Sequence, residues 1–206
     1  MKNVVGGVRR FQQDVYPKKK ALFRKLASGQ KPQALFITCA DSRIDPNLIT
    51  QTEPGDLFVC RNAGNIVPPY SGTGEGMSAS VEYAMAALET PHIIVCGHSG
   101  CGAMKAVMHP ETANGLPHVQ DWLIYSQAAL QTVIGGKKGR SEKQRMQALI
   151  EQNVVLQMLH LRTHPRVAER LASGKTQLHG WVYSIGTGEI AAYDESGGVF
   201  APLASA

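Results

Sequence analysis

The sequence predicts an α/β fold with a mostly parallel central β-sheet flanked by helices. Two short apolar runs, residues 34–38 and 92–96, are typical of buried parallel strands. A polar cluster follows each run at once, as it does where parallel strands end at a binding site. We expect about four parallel strands, a C-terminal antiparallel strand and an N-terminal helical arm.

The elements before residue 62 follow from periodicity and from glycine and proline positions. Residues 1–29 carry apolar positions at helical spacing, with a break at Pro17 and an end at Gly29, which predicts an arm of two amphipathic helices. A turn over residues 53–56 precedes another apolar run at 57–61, which predicts a further strand.

The rest of the chain is predicted to form helices and then a hairpin. The glycine-rich segment 71–76 lacks the Gly-Lys-Ser/Thr ending of a phosphate loop, so we interpret it as the entry to a helix over 77–88. Ser141 is expected to start a long helix, and Pro165 a short one. The segment 178–193 is predicted to form a β-hairpin.

Length and composition fit one domain over residues 1–206. The 206 residues are 43% hydrophobic, which is enough for a full core. No apolar run approaches a membrane span and the first 16 residues show no signal peptide, so we expect a cytoplasmic protein with no membrane partner. The net charge is +5, and the basic runs at 18–20 and 137–138 are expected to be solvated faces, with no nucleic acid bound.

Two polar clusters supply the residue types of a zinc site. Cys39 and Asp41 follow one predicted strand, while His98 and Cys101 follow another. Ligands collect outside the carboxyl ends of such strands, so these side chains are expected to converge. Catalytic zinc keeps three protein ligands and an exchangeable position, which fits the two cysteines and the histidine with water or Asp41 as the fourth ligand.

The other cysteines and histidines are assigned structural roles. We expect Cys60 and Cys96 to be small buried hydrophobes, and the missing secretory signal argues against a disulfide. His160 and His164, near the end of the long helix, are predicted to be surface histidines and not ligands.

The formal charge of the predicted zinc site suggests roles for Asp41 and Arg43. Two thiolates and a neutral imidazole cancel the charge of Zn²⁺, so the pKa of a bound water should fall less than it does with three imidazoles. Asp41 can accept the proton of that oxygen, and Arg43 can hold Asp41 ionised and away from the metal.

Three segments carry a family resemblance. Residues 39–43, 61–65 and 97–102 resemble the β-class carbonic anhydrases, and the similarity extends from about Gln30 to Lys105. The segments around Trp181 and Tyr193 resemble those of bacterial members linked to cyanate breakdown. The resemblance implies one Zn²⁺ per chain and zinc-dependent, reversible hydration of CO₂ to bicarbonate and a proton through zinc-bound hydroxide.

The resemblance also implies a substrate pocket and an assembly. Gln30, in the ninth position before Cys39, matches a glutamine that hydrogen-bonds substrate, and the Gly102 amide would face bicarbonate. The family builds the apolar pocket wall from one chain and its dimer partner. The matching positions here are Ile44 from the same chain and Phe58, Ala63 and Tyr83 across the interface. The resemblance implies an obligate homodimer, often paired into a homotetramer, whose N-terminal arm packs over a neighbouring subunit.

Departures from the family pattern refine these expectations. Ala87 stands where plant members carry a histidine, so a proton shuttle at that position is not expected. Phe36 and Thr38 replace the tryptophan and glycine of members with a bicarbonate-inhibited closed state, which favours an open site with Asp41 off the metal.

Two other functions use the same ligands. One is hydrolysis of CS₂ or COS on the same scaffold. The other is a non-catalytic module that binds zinc or bicarbonate, against which the presence of Gln30, Asp41 and Arg43 argues.

Overall fold

The computed structural model describes residues 1–72, 76–136 and 139–203. Part of the glycine-rich segment 71–76 and the basic pair at 137–138 lie outside the described residues. The chain forms two compact units, Met1–Lys31 and Pro32–Ala206. No helix of the described ranges combines the length and the apolar character needed to cross a membrane.

The first unit contains the two arm helices that the sequence predicts. Helix α1 spans Lys2–Arg10 and continues into a π-helical turn over Phe11–Val15, and α2 spans Lys20–Ala27. None of these three elements contains a buried residue. The rings of Tyr16 and Phe23 stack with their centroids 5.4 Å apart.

The second unit contains a six-stranded sheet in the order β2-β1-β3-β4-β5-β6. The first four strands in this order pair in parallel, and β5 and β6 are antiparallel. The strands are β1 Ala34–Cys39, β2 Leu57–Asn62, β3 His92–His98, β4 Gln177–Tyr183, β5 Ile190–Asp194 and β6 Val199–Pro202. The four parallel strands and the hairpin are confirmed, and β6 is a second antiparallel strand that the sequence analysis did not predict.

Seven α-helices connect the strands among the described residues. They are α3 Pro46–Thr50, α4 Gly76–Ala86, α5 Gly102–Met108, α6 Pro117–Leu123, α7 Gln127–Gly135, α8 Glu142–Thr163 and α9 Pro165–Ala172. Helix α8 begins where predicted, because Ser141 and Gln144 form a reciprocal capping box.

Helix α8 packs directly on the centre of the sheet. Gly97 on β3 and Gly180 on β4 permit this approach, since a Cβ at either position would lie 2.9 Å from a methyl group of Val154. Leu149 and Val154 on α8 are fully buried against the strands. Larger residues at the two glycines would push α8 off the sheet and open cavities in the core.

The surface location predicted for His160 and His164 is wrong. His164 is only 4% exposed, and its Nε2 donates to the Pro68 carbonyl at 3.0 Å. His160 is half-buried, and its Nδ1 donates to the Val67 carbonyl at 2.8 Å. Both imidazoles therefore tie the segment after β2 to the end of α8, a long-range contact that local periodicity does not reveal.

The structural roles predicted for Cys60 and Cys96 are confirmed. Both thiols are buried, and burial raises the pKa of each, to about 12 for Cys96. A thiol that stays protonated at neutral pH is a poor metal ligand and a poor nucleophile.

Candidate metal centre

Parallel pairing brings the ends of two strands together. Cys39 is the last residue of β1 and His98 the last residue of β3, and these strands are neighbours. Cys101 follows three residues later and immediately precedes α5. The ligand atoms of these three buried residues all lie within 4.8 Å of one another, the only such group found in the described ranges.

The separation of the two thiols suits a shared ion. Cys39 Sγ and Cys101 Sγ lie 4.0 Å apart, and neither forms a disulfide. A disulfide requires about 2.05 Å between sulfurs. Zinc–sulfur bonds of about 2.3 Å at tetrahedral angles place two sulfurs roughly 3.8 Å apart. The pair therefore has the spacing of two ligands of one zinc ion.

The imidazole of His98 is oriented as a ligand. Its Nδ1 lies 3.0 Å from the Ser99 carbonyl oxygen, which requires the proton on Nδ1. Its Nε2 is buried and has no hydrogen-bond partner. A buried nitrogen without a partner costs free energy, and a metal ion at this position would remove that cost. The donor set thus fits Zn²⁺.

The two thiols respond differently to their contact. Hydrogen bonds from the Cys101 thiol and the Gly64 amide hold the pKa of Cys39 well below its usual range. The contact with Cys39, together with burial, raises the pKa of Cys101. Without a metal the pair therefore keeps one proton, and a metal that binds both sulfurs must displace it.

Asp41 and Arg43 form the ion pair that the sequence analysis expected. Arg43 Nε donates to Asp41 Oδ1 at 2.9 Å and Nη2 to Oδ2 at 2.6 Å, a bidentate arrangement. These bonds hold the pKa of Asp41 well below its usual range. Asp41 Oδ2 lies 3.9 Å from His98 Nε2, so an ionised carboxylate stands beside the metal position.

Arg43 also joins the two ligand loops. Its Nη2 donates to the Gly100 carbonyl at 3.0 Å, and Gly100 lies between His98 and Cys101. Gly100 has φ +65°, in the left-handed region that favours glycine. The guanidinium therefore fixes both Asp41 and the loop that carries two of the ligands.

Arg61 supports the other ligand loop, which follows β1, in a role that sequence reasoning missed. Its Nε donates to the Cys39 carbonyl at 3.2 Å, and its Nη2 donates to the Asp41 carbonyl at 2.7 Å. Arg61 belongs to one of the segments that carry the family resemblance, yet its position in the sequence does not show which carbonyls it contacts. The backbone of the first ligand loop is thus held by a side chain from β2.

The expected pocket residues fall into different surroundings. The rings of Phe58 and Tyr83 lie 5.9 Å apart, whereas Ile44 is buried. Ala63 is exposed and its carbonyl accepts a hydrogen bond from Trp122, and Gly102 is the first residue of α5. Gln30 belongs to the first unit. The structure thus brings together the three candidate ligands and the Asp41–Arg43 pair, and the substrate roles of the pocket residues stay predictions.

Fold and site together define a class of protein. A mostly parallel α/β sheet presents two thiols and one imidazole at its strand ends, with a guanidinium-held carboxylate beside them. Three such donors with room for a fourth ligand are typical of catalytic zinc, whereas structural zinc sites have four protein ligands. The chain has the architecture of an α/β enzyme with a group of side chains that could hold a metal ion.

Comparison with known proteins identifies the family. The family model described as carbonic anhydrase matches residues 34–190. A carbonic anhydrase of Pseudomonas aeruginosa is 49% identical over 204 residues, which cover 99% of this chain and 92% of that protein. The chain belongs to the carbonic anhydrase family.

Solved structures assign the class within the family. The β-carbonic anhydrase CcaA superposes with a TM-score of 0.95 at 42% identity, covering 100% of this chain and 92% of that one. One of two β-carbonic anhydrases from Sordaria macrospora, described as tetrameric, gives a TM-score of 0.76 at 29% identity, covering 98% and 95% of the two chains. The fold is that of the β-carbonic anhydrases.

Proposed function

We propose that this chain catalyses the reversible hydration of CO₂ to bicarbonate and a proton with one Zn²⁺ held by Cys39, His98 and Cys101. The observation that carries the proposal is the convergence of the three donor atoms within 4.8 Å, with His98 Nε2 buried and unpartnered. Zinc bound there would lower the pKa of a water ligand and so supply a nucleophile near neutral pH.

Asp41 and Arg43 orient that nucleophile. Both carboxylate oxygens of Asp41 accept hydrogen bonds from Arg43, which hold the pKa of Asp41 well below its usual range, so Asp41 is ionised at neutral pH. Asp41 Oδ2 can then accept a hydrogen bond from the attacking oxygen and direct a lone pair of that oxygen towards the substrate. Because Arg43 binds both carboxylate oxygens, Asp41 is proposed to stay off the metal and leave the fourth position to solvent.

An apolar wall suits CO₂, which carries no charge. Ile44, Phe58, Ala63 and Tyr83 are the proposed wall, and Gln30 and the Gly102 amide are the proposed hydrogen-bond donors to bicarbonate. Half of Tyr83 is exposed, although its ring packs beside Phe58. Such an exposed aromatic pair is expected to be covered when the chain associates with another copy.

A homodimer, paired into a tetramer, is the proposed assembly. Helix α1 and the following turn bury no residue, and Val4, Val8 and Phe11 are 62%, 52% and 41% exposed. This exposed apolar stripe suits a second copy of the chain, and the related Sordaria macrospora enzymes are described as tetrameric. The cytoplasmic location stays a prediction.

Stopped-flow measurement of CO₂ hydration on the purified zinc-loaded protein tests the function. We expect turnover to climb as the pH rises above neutral, because the neutral donor set lowers the pKa of the water ligand only partly. A flat profile between about pH 6 and pH 9 would contradict this charge argument. CS₂ turnover without CO₂ turnover would favour the alternative hydrolase, and metal binding without turnover of either would favour a binding module.

A further inference from the structure

A buried amide from the centre of α8 contacts the loop behind the metal centre. Asn153 is 1% exposed, and its Nδ2 donates to the Gly64 carbonyl at 3.0 Å. Its Oδ1 accepts from Ser126 Oγ at 2.8 Å and from Gln157 Nε2 at 2.9 Å. Two donors that converge on one atom identify it as the oxygen, so the nitrogen must face Gly64.

Gly64 contacts both this amide and the candidate ligand Cys39. Its backbone N–H donates to Cys39 Sγ at 3.4 Å, while its carbonyl accepts from Asn153. Gly64 has φ +82°, and a Cβ there would lie 3.0 Å from the Ala103 side chain. Only glycine fits this backbone conformation so close to α5. The N–H and the carbonyl belong to the same residue, so holding the Gly64 carbonyl also restricts the direction of the Gly64 N–H.

The ends of the loop that carries Gly64 are also fixed. Asn62 Nδ2 donates to the Ile66 carbonyl at 2.8 Å, and Asn62 Oδ1 accepts from the Ile66 amide at 2.7 Å. These bonds close the loop but do not contact Gly64. In the network described here, Asn153 is the side chain that binds the Gly64 carbonyl.

We infer that Asn153 is a positioning residue for the metal centre: it holds the Gly64 carbonyl so that the Gly64 N–H points at the sulfur of Cys39. An N–H bonded to a thiolate stabilises its charge and draws electron density from the sulfur. The Cys39 sulfur would then donate less electron density to a bound metal, which would polarise a water ligand more strongly. This inference rests on the proposed zinc site.

A matched pair of variants separates this role from ordinary core packing. Asn153→Asp keeps the size of the side chain and an acceptor for Ser126 and Gln157, but it removes the N–H donor to Gly64. Ser126→Ala removes a bond to the same Oδ1 from an equally buried position and leaves the contact with Gly64 intact. If Asn153 served only to pack the core, both variants would lose stability and neither would alter the metal centre.

The readout is the sulfur-to-cobalt charge-transfer band of the Co²⁺-substituted full-length protein, measured together with zinc affinity by competition with a chelator. We expect Asn153→Asp to shift the band to longer wavelength, because its sulfur has lost a hydrogen bond. Zinc affinity should fall about tenfold, because the Cys39 thiolate loses a hydrogen bond that stabilises its charge and the proton then competes better with the metal. Ser126→Ala should match the wild type in both measurements.

Two results would overturn the inference. One is an Asn153→Asp protein whose band and affinity equal those of the wild type, and the other is an equal shift in Ser126→Ala. If Asn153→Asp does not fold, a crystal structure of the zinc-loaded wild type decides instead, since Gly64 N must lie within hydrogen-bonding distance of Cys39 Sγ. A wild-type protein that binds neither metal would refute the proposed zinc site itself.

Discussion

Strand β3 begins and ends with a histidine, and the two rings have opposite surroundings. His98 at the carboxyl end is buried, with Nε2 unpartnered beside two thiols and a carboxylate. His92 at the other end places Nδ1 3.2 Å from Nε2 of His179, next to a cavity of about 310 Å³. The two ends thus carry the same residue type, but only His98 has a buried ring nitrogen without a hydrogen-bond partner.

The difference shows what makes a histidine a metal ligand in this fold. His92 and His179 share one N–H···N hydrogen bond between their facing nitrogens, so neither of these two nitrogens lacks a partner. The proton of His98 is fixed on Nδ1 by the Ser99 carbonyl, which leaves Nε2 as a lone pair aimed among sulfurs. What leaves Nε2 of His98 available to a metal is therefore the hydrogen bond of its Nδ1 to the Ser99 carbonyl, and not burial alone.

Exchanging one histidine at a time is the strongest way to break this comparison. His98→Asn should lose zinc, and CO₂ hydration should fall by at least about a thousandfold, because the group that generates the nucleophile is gone. Zinc content by elemental analysis and stopped-flow turnover measure both effects. His92→Asn is the matched control and should keep full zinc content and turnover within about threefold of the wild type. Zinc retained in His98→Asn, or lost in His92→Asn, would contradict the assignment.

The ion pair beside His98 predicts a smaller effect of a different kind. Arg43→Ala should reduce turnover by about 100-fold while zinc stays bound, because Asp41 loses the partner that keeps it ionised and oriented. Arg162→Ala removes another arginine–carboxylate pair, with Glu195 at 2.6 Å on the surface, and should leave turnover unchanged. Near-normal turnover in Arg43→Ala would exclude the ion pair from the mechanism.

The smallest effect is expected at the other end of β3. Burial and the neighbouring His92 lower the pKa of His179. The unfolded chain then binds this proton more readily than the folded one, so stability falls as the pH drops through about 6.5. His179→Gln should lessen the loss of stability between pH 7 and pH 5 by under about 1 kcal/mol, since half-exposed groups are screened by solvent. Urea denaturation at both pH values measures this, and an unchanged or steeper loss would contradict it.

Sequence reasoning found the parts of the site that follow from local rules. Parallel strands end at one edge of a sheet, so Cys39 and His98 could be placed together before any coordinates were known. Asp41 and Arg43 were likewise predicted to pair, because a guanidinium and a carboxylate close together in sequence have complementary charges. These predictions needed strand order but no detailed packing.

The missed features depend on contacts between distant segments. Asn153 and Gly64 are 89 residues apart, and nothing near either residue indicates the other. The burial of His164 depends in the same way on Pro68, 96 residues before it. Strand β6 is short and ends in proline, so it lacks the pattern from which strands are predicted.

X-ray absorption at the zinc edge, recorded on the purified protein at pH 7 and pH 8.5, tests the central claim most directly. The predicted shell contains two sulfurs and one imidazole nitrogen at both pH values, with one exchangeable oxygen ligand. A shell with fewer than two sulfurs, or a metal-free protein with full CO₂ hydration activity, would contradict the account.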